Sequence, residues 1–521
     1  MAHVTYTGRG HNNSADLELI TSASDDTVGE DTSMEGYSNS GKANRDAVSL
    51  LMESIQKDLK DVPTLSPNCS IFRVHTPVRK VKPEAYTPRM VSIGPFHRSD
   101  KQLQPMEAQK LRYLNDFLSR ESQATLGDYV KAMTELEDRA RRCYSEIIQV
   151  KSENEFVKMM LIDGCFILEL ILRTNYEPIR REDPILNATW VSHIIKCDLI
   201  LLENQLPFFV LERLYNLNTG NSQYSNSPIG TLISNFFQDF LPHEGSPQPQ
   251  SNNISGRSRL RCFSEVPKNV FDFIISVVTI RRLVKKDQVE GVVKPLLEEE
   301  EATIKDEDTP AAVEEPKHLL DSVRDLLLKS FSGTQMSPGA FRRTHSATEL
   351  KEASVKFERE PNTCLFNITF TNGVLKIPTM KIEDWTESLL RNLIAFEQYR
   401  DGNNYITDYA AFIDGLINSP KDVELLEKKG IIESLLGEPK EVAALFNGLL
   451  KEVTIMIDQY YFSSVCHDLD KYYKIPKHKW KASLMRDYCN TPWAFISFLA
   501  ALFLLILTVV QTIFSILQVT M

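Results

Sequence analysis

The stretch SENEFVKMMLIDGCFILELILR, residues 152–173, decides which kind of fold this chain adopts. It opens with a capping box, in which Ser152 and Glu155 can satisfy the first backbone amides of a helix. The residues that follow are almost all apolar, which predicts a helix buried on most of its surface. A second apolar run, residues 199–214, is broken at Pro207. The sequence therefore predicts a body in which buried helices dominate.

The second half of the chain begins with a different pattern. In CLFNITFTNGVLKIP, residues 364–378, two β-type runs flank Asn372-Gly373, which is the strongest short-range signal for a hairpin. Further helices are predicted to begin near Ile382, Thr407, Ser419 and Glu438. At the third of these, a cap is followed by Pro420 at the first helical position and by an acid in the first turn. The predicted fold class is mainly α, a multi-helix globular body with a small β-hairpin element.

Composition divides the chain into five segments. They are a disordered tail, the N-terminal half of the body, an acidic flexible linker, the C-terminal half of the body and an apolar C-terminal segment. The predicted boundaries are 1–43, 44–285, 286–345, 346–487 and 488–521. The first half is expected to open with a short amphipathic helix at 44–61 and to contain a loop at 217–268.

Overall composition and the absence of known motifs argue against several classes of function. The 521 residues carry 59 basic and 70 acidic side chains, a net charge of −11, which argues against a general nucleic-acid binder. Eight cysteines are scattered without a CxxC pair, so neither a zinc site nor a disulfide framework is predicted. We find no nucleophile elbow, phosphate-binding glycine loop or HExxH motif. No cofactor and no metal are expected.

The C-terminal segment is the most apolar part of the chain. Residues 488–521 contain no charged side chain, and residues 493–517 read WAFISFLAALFLLILTVVQTIFSIL. As a helix this run would be roughly 37 Å long, more than the roughly 30 Å hydrocarbon core of a bilayer. We therefore predict one C-terminal transmembrane helix in the lipid bilayer; the alternative is a very hydrophobic packing helix. The predicted anchor residues are Trp493, Phe495, Phe498, Leu502, Leu505, Val509, Ile513 and Leu517.

Two further features predict an orientation. The N-terminus shows no basic segment followed by an apolar run, so no signal peptide is expected. Basic residues precede the apolar run at Lys471, Lys474, Lys477, Lys479, Lys481 and Arg486. By the positive-inside rule, the body is predicted to face the cytosol from a single-pass anchor in the plasma membrane, and the opposite topology is the alternative.

Polar residues inside the apolar segments are the candidates for a functional site. They are Asp163, Glu169, Glu203, Asn204, Gln205, Glu397 and Gln398. A carboxylate metal site in a helical bundle usually also needs Glu-x-x-His spacing, and no His follows Glu203 or Glu397 within a turn. Buried carboxylates must otherwise be paired, so these residues are predicted to form a structural polar network. The local likeness of LLENQ and IAFEQ suggests that two helices contribute similar groups to one core.

Nine stretches of the chain match, in order and with even spacing, a family of plant proteins. They are EAYTPRMVSIGPFHR (84–98), MEAQKLRYL (106–114), MMLIDGCFILELILR (159–173), DLILLENQLPFFVLERL (198–214), SATELKEASVKF (346–357), NGVLKIP (372–378), TESLLRNLIAFEQ (386–398), ITDYAAFIDGLINSPKDVELL (406–426) and NTPWAFISFLAALFLLILTVVQT (490–512). The chain resembles the "domain of unknown function 247" family. The resemblance implies a helical plant protein with a C-terminal membrane anchor. It also implies a relation to grass members associated with pollen–stigma self-incompatibility.

Three function classes follow from these observations. The first is a non-catalytic membrane-anchored protein that binds an unknown partner protein, and we predict this class. A pollen recognition determinant is a special case of it. The alternative is an enzyme of unknown class with a buried carboxylate site in the helical body. The oligomeric state is not predicted by the sequence.

Overall fold

Helices make up most of the computed structural model of this protein. The chain divides into two units: residues 1–245 together with 316–521 form one, and residues 246–315 form the other. All described helices and strands belong to the first unit. The structure describes residues 3–5, 48–59, 69–120, 124–146, 148, 153–176, 183–218, 227–240, 315–329, 331, 338–361, 364–400, 402–476 and 492–520, with side chains in the last range at 496–497, 500–515 and 518.

Nine helices precede the acidic segment. They are α1 (48–59), α2 (Thr76–Val81), α3 (Pro105–Leu118), α4 (Leu126–Arg141), α5 (Glu153–Asn175), α6 (Pro184–Asn187), α7 (Thr189–Leu199), α8 (Phe208–Asn218) and α9 (Ile229–Phe236) within the described residues. Single 3-10 turns lie at Pro83–Tyr86 and Gln238–Phe240.

Eight helices follow the acidic segment among the described residues. They are α10 (Leu319–Leu328), α11 (Ala347–Glu352), α12 (Thr386–Glu397), α13 (Tyr405–Leu416), α14 (Pro420–Lys428), α15 (Pro439–Leu449), α16 (Ser463–Tyr473) and α17 (Pro492–Thr520). The cap predicted before α14 is present, with the Asp422 carboxylate accepting hydrogen bonds from the Ser419 amide at 2.9 Å and from the Ser419 hydroxyl at 2.8 Å. The mainly helical body with a few strands is thus confirmed.

Helix α5 is the centre of the N-terminal half. Apart from Lys158, the residues from Phe156 to Leu172 are buried, and the helix packs against α3, α4, α8 and α9. Gly164 permits the close approach of α8, because a Cβ atom there would lie 2.5 Å from Leu214 Cδ1. The apolar stretch that dominates the sequence therefore becomes the innermost helix.

Seven short strands form three small sheets in the described residues. They are β1 (His3–Thr5), β2 (Lys356–Glu360), β3 (Thr369–Thr371), β4 (Val374–Pro378), β5 (Met380–Ile382), β6 (Ile432–Ser434) and β7 (Thr454–Met456). Their orders are β1-β7, β2-β4-β3 and β5-β6. The pairs β2-β4 and β5-β6 are parallel, whereas β3-β4 and β1-β7 are antiparallel.

The predicted hairpin is confirmed as β3 and β4. Asn372 and Gly373 join the strands with φ angles of 51° and 79°, the left-handed pair that a tight two-residue hairpin requires. The helix expected near Ile382 begins instead at Thr386. Residues 380–382 form β5, because they pair with β6 from far along the chain, and local propensity does not report such a partner.

The predicted transmembrane helix is wrong. The chain forms helix α17, but among the described residues no helix is both long and apolar enough to cross a membrane. The prediction for residues 493–517 rested on composition and missing charge, and those properties alone do not establish such a helix.

Part of the predicted linker belongs to the body. Helix α10 lies inside 286–345, and its side chains Leu319, Leu320 and Val323 are buried. His318 caps the helix, since its ring nitrogen Nδ1 accepts a hydrogen bond from the Asp321 amide at 3.2 Å. The acidic run at 298–314, most of residues 1–43 and most of the loop at 217–268 lie outside the described residues.

Candidate functional site

The polar residues 203–205 lie in a turn and not in a helix. The chain leaves α7 at Leu199 and re-enters helix at Phe208, and residues 199–206 are buried throughout. Pro207 explains the interruption, because proline lacks an amide donor and disfavours helical geometry at the preceding residue. A buried turn has backbone groups that need partners. The side chains of the turn and of its neighbours supply them.

Glu203 binds the segment that precedes α2. Its buried carboxylate accepts hydrogen bonds from the Val74 amide at 2.8 Å and from Arg79, and it lies 3.3 Å from His97 Nε2. Arg73 approaches the same carboxylate at 3.5 Å. Burial alone would raise the pKa of Glu203, but these hydrogen bonds and positive charges lower it. Glu203 is therefore an ionised anchor for residues 73–79.

Asp198 and Asn204 hold the extended segment 89–93. The Asp198 carboxylate accepts the amides of Arg89, Met90 and Val91 at 2.7–2.9 Å. Asn204 accepts the Ile93 amide at 2.7 Å and donates to the carbonyl of Val91 at 3.0 Å. Burial raises the pKa of Asp198, and the three amides oppose that rise. The proline-rich segment therefore owes its conformation to side chains about a hundred residues away.

Asp163 forms a buried ion pair at the centre of α5. Its carboxylate lies 2.7 Å from Lys110 Nζ and accepts the Gly94 amide at 2.9 Å. The side chains of Asp163 and Lys110 are both 0% exposed. Burial raises the pKa of Asp163, and the charge of Lys110 opposes the rise. This pair connects α3, α5 and the segment around Gly94, where φ is 72° and a Cβ would meet the Gln205 carbonyl oxygen at 2.6 Å.

Glu169 lies farther along α5 in a second charged cluster. Arg120 donates two hydrogen bonds of 2.8 Å to its carboxylate, and Arg173 donates one of 2.7 Å. Arg173 also contacts Asp183 at 2.5 Å and Asp116 at 2.6 Å. Each buried charge in this cluster therefore has an opposite charge within hydrogen-bonding distance.

Gln205 and Asn392 connect the two halves of the body. Gln205 donates to the carbonyls of Leu199 and Leu201 and accepts the Leu320 amide at 3.2 Å. Asn392, on α12, accepts the Leu202 amide at 2.9 Å and donates to the Ala85 carbonyl at 2.7 Å. Asn392 therefore connects α12 to residues 85 and 202 of the N-terminal half.

Glu397 anchors the start of α13. Its carboxylate accepts the amides of Ile406 at 3.1 Å and Thr407 at 2.8 Å, which lie in the first turn of that helix. Arg324, from α10, donates to the same carboxylate through Nε and Nη2 at 3.1 Å. Gln398 is only half-buried and accepts the Thr454 amide at 3.1 Å. LLENQ and IAFEQ thus anchor different segments, although both use a carboxylate to bind backbone amides.

Cys197 and His193 are spaced like a nucleophile and its base, but their pKa values do not suit that chemistry. The Cys197 thiol lies 3.7 Å from His193 Nε2, one turn away on α7. Burial raises the pKa of Cys197 to about 12 and lowers that of His193. A reactive thiolate needs the opposite shift. In the described part of the chain, no group of three or more His, Cys, Asp or Glu side chains has the arrangement that would hold a metal ion.

Several partners of the predicted residues are not evident from the sequence, above all Lys110, Asn392 and Arg324. Each lies in a segment of mixed polarity, which is typical of a surface position. Asp408 is a further such residue, and it is buried and accepts the Tyr461 amide at 2.8 Å. Spacing along the chain gives no signal for such contacts, because the partners are brought together only by folding.

Asp408 should make stability pH-dependent. Burial raises its pKa from the usual 3.8 to about 7, so between those values the folded chain binds more protons than the unfolded chain. Its contribution to stability is therefore complete near pH 4, falls as pH rises and is lost above pH 7. We expect Asp408→Asn, which can still accept the Tyr461 amide, to remove this fall, a difference on the order of 4 kcal/mol.

The measurement is urea unfolding of wild type and Asp408→Asn between pH 4 and 8. The difference between the two proteins isolates Asp408 from the other titrating groups. As pH rises, the free energy of unfolding of the wild type should fall relative to that of the variant. A difference that does not change with pH would contradict the raised pKa.

Comparison with known proteins identifies the family. The DUF247 profile, described as "Plant protein of unknown function", matches residues 71–507. The chain belongs to the DUF247 family. A UPF0481 protein of Arabidopsis thaliana is 30% identical over 481 residues, which cover 90% of this chain and 89% of the relative. Another UPF0481 protein of that plant is 23% identical over 511 residues, covering 88% and 93%.

No solved structure matches the chain. The DUF247 match contains the whole network around Asp163, Asp198, Glu203 and Glu397. Helix α1, at 48–59, lies before the matched region.

Proposed function

We propose that this DUF247 protein is a non-catalytic binding protein that engages a partner protein through helix α1. The observation that carries the proposal is the exposure of that helix. Every residue of 48–59 is exposed, and its large hydrophobic side chains are 48–68% exposed. The pollen role that the family resemblance implies stays a prediction.

The hydrophobic side chains of α1 form one face. Val48, Met52, Ile55 and Leu59 are spaced by four, three and four residues, so they lie along one side of a helix, with Leu51 beside them. Leu50 is on the opposite side. Spacing of this kind is what a helix uses when it lies in a hydrophobic groove of another protein.

Such a face is costly to leave in water. Soluble proteins rarely expose continuous hydrophobic patches unless the patch binds something. A helix of twelve residues is also marginal by itself, so a partner that covers the face would stabilise the helix as well. Both arguments favour a partner protein with an apolar groove.

The ionisable groups of the core support the same proposal. The carboxylates of Asp163, Asp198, Glu203 and Glu397 accept hydrogen bonds from backbone amides of the protein itself. This arrangement suits a rigid support for a binding surface. The alternative, an enzyme with a buried carboxylate site, would need one of these groups to be released from its amides.

Ile55→Asp should abolish partner binding, whereas Leu50→Asp should not. The first variant places a charge in the middle of the apolar face, and the second places the same charge on the opposite side. We expect partner recovery to fall at least about tenfold for Ile55→Asp, a loss of about 1.4 kcal/mol or more. Melting temperatures should be unchanged in both, because α1 lies outside the core.

The measurement is proximity labelling in plant tissue with the full chain, quantified for wild type and both variants. Proteins labelled by wild type and Leu50→Asp but depleted with Ile55→Asp are the predicted partners. An identical labelled set for all three proteins would contradict binding through α1. An activity that is lost in a stable, fully folded Glu203→Gln variant would favour the enzyme.

A further inference from the structure

The chain segment that leads into the body is paired with the end of helix α4. The amides of Ser70 and Ile71 both donate to the carbonyl of Cys143 at 2.9 Å, and the Ser145 amide donates to the carbonyl of Ile71 at 3.0 Å. Ile71 and Tyr144 form a parallel β-bridge. Cys69 therefore directly precedes the residue whose amide is bonded to the Cys143 carbonyl.

The backbone geometry brings these two residues close to the separation that a disulfide spans. One hydrogen bond separates the Ser70 nitrogen from the Cys143 oxygen, so ordinary bond lengths put the two Cα atoms within about 8 Å of each other. Disulfides span Cα distances up to about 6.8 Å. Cys69 is only half-buried, so a small approach of its side chain is not blocked on every side.

We propose that Cys69 and Cys143 form a reversible disulfide that fastens the start of the body to the end of α4. Both are free thiols in this structure. Cys69 is the accessible member of the pair, and Cys143 is buried, with its Sγ donating to the Arg139 carbonyl at 3.4 Å. The oxidant that the proposal requires is a small disulfide such as glutathione disulfide.

The electrostatic surroundings make both thiols slow to react at neutral pH. Burial raises the pKa of both thiols, that of Cys143 to about 11, and the charge of Lys317 opposes the rise at each. The pKa of Cys143 is further raised by Cys69, as expected for close neighbours. Formation should therefore be slow near pH 7 and faster at higher pH, because the thiolate is the reacting form.

The exchange proceeds in two balanced steps. The Cys69 thiolate attacks one sulfur of glutathione disulfide, which forms a mixed disulfide and releases one glutathione thiolate. The Cys143 thiol loses its proton to solvent and attacks the Cys69 sulfur, which releases the second glutathione thiolate. Two protein thiols are oxidised, and one glutathione disulfide is reduced to two glutathione molecules.

The link would act on the segment that Glu203 holds. Residues 73 and 74 follow the paired strand directly and contact the Glu203 carboxylate. A disulfide at residue 69 therefore restrains the unfolded chain across a long loop and closes the N-terminal end of the network. It also fixes the point from which the chain leads back to α1.

The test is disulfide mapping of the purified full chain, equilibrated in glutathione buffers from reducing to oxidising at pH 8. Samples are acid-quenched, alkylated and digested without reduction. We expect the 69–143 linked peptide to exceed any other cysteine pair at least about tenfold at the oxidising end. The oxidised protein should melt at least about 2 °C above the reduced protein.

Two variants complete the test. Cys69→Ser should lose both the linked peptide and the redox dependence of melting, and its half-exposed position makes misfolding a poor explanation for that loss. Cys364→Ser, at a buried cysteine outside the pair, should keep both. Absence of the 69–143 peptide at the most oxidising ratio, or equal amounts of other pairs, would overturn the proposal.

Discussion

Replacing Glu397 by Ala is expected to lower the free energy of unfolding by about 3–5 kcal/mol. The substitution leaves the buried guanidinium of Arg324 without its carboxylate, and Asn403 contributes only a carbonyl at 2.9 Å. It also leaves the amides of Ile406 and Thr407 without acceptors inside the core. Each orphaned donor adds a desolvation penalty of about 1–3 kcal/mol.

Glu397→Gln is the matched control for this prediction. The amide oxygen of Gln can still accept from one of the two amides, Ile406 or Thr407, but its NH2 group replaces the other acceptor, and the side chain carries no charge for Arg324. Its loss of stability should therefore be clearly smaller than that of the Ala variant. Urea unfolding measures both proteins under one set of conditions. Equal losses for Gln and Ala would show that the backbone anchors contribute little.

Asp163→Ala is expected to lower the free energy of unfolding by about 3 kcal/mol, near the lower end of the range for broken buried ion pairs. The reason is the ammonium group of Lys110, which is fully buried and would lose its fully buried partner. Glu107 also lies 2.7 Å from Lys110 Nζ and remains, which limits the loss. The Gly94 amide would lose its acceptor as well.

A double-mutant cycle separates the charge pair from the rest of this effect. Lys110→Met replaces the charged side chain by an apolar one of similar length. In the Asp163→Ala/Lys110→Met protein no buried charge is left unpaired, so much of the lost stability should return. Losses that simply add up in the double variant would mean that the two side chains do not depend on each other.

Local sequence signals predicted the parts of the fold that local interactions decide. The hairpin turn at Asn372-Gly373 and the cap of α14 at Ser419 were predictable, because each depends on residues a few positions apart. The long buried helix α5 was predictable from its apolar composition. The strand pair β5-β6 was not, since its partners are about fifty residues apart.

The candidate site shows the same division between features that local sequence predicts and contacts that only folding creates. The sequence identified Asp163, Glu203 and Glu397 as polar groups in apolar surroundings, and each is buried. It did not identify what they bind, because their partners lie as far as 130 residues away, as for Glu203 and Arg73. The sequence pattern predicts helix at the turn 200–207, although Pro207 marks the break. The predicted membrane helix is wrong, because the described residues contain no helix that is long and apolar enough to cross a membrane.

The central claim is that the buried carboxylates hold backbone segments in place. Amide hydrogen exchange of Ile406 and Thr407 in wild type and in Glu397→Ala tests it most directly, under conditions where both proteins are folded. The account predicts that these two amides lose protection in the variant by at least about tenfold, while the amides at the centre of α5 keep theirs. Unchanged protection at Ile406 and Thr407 would contradict it.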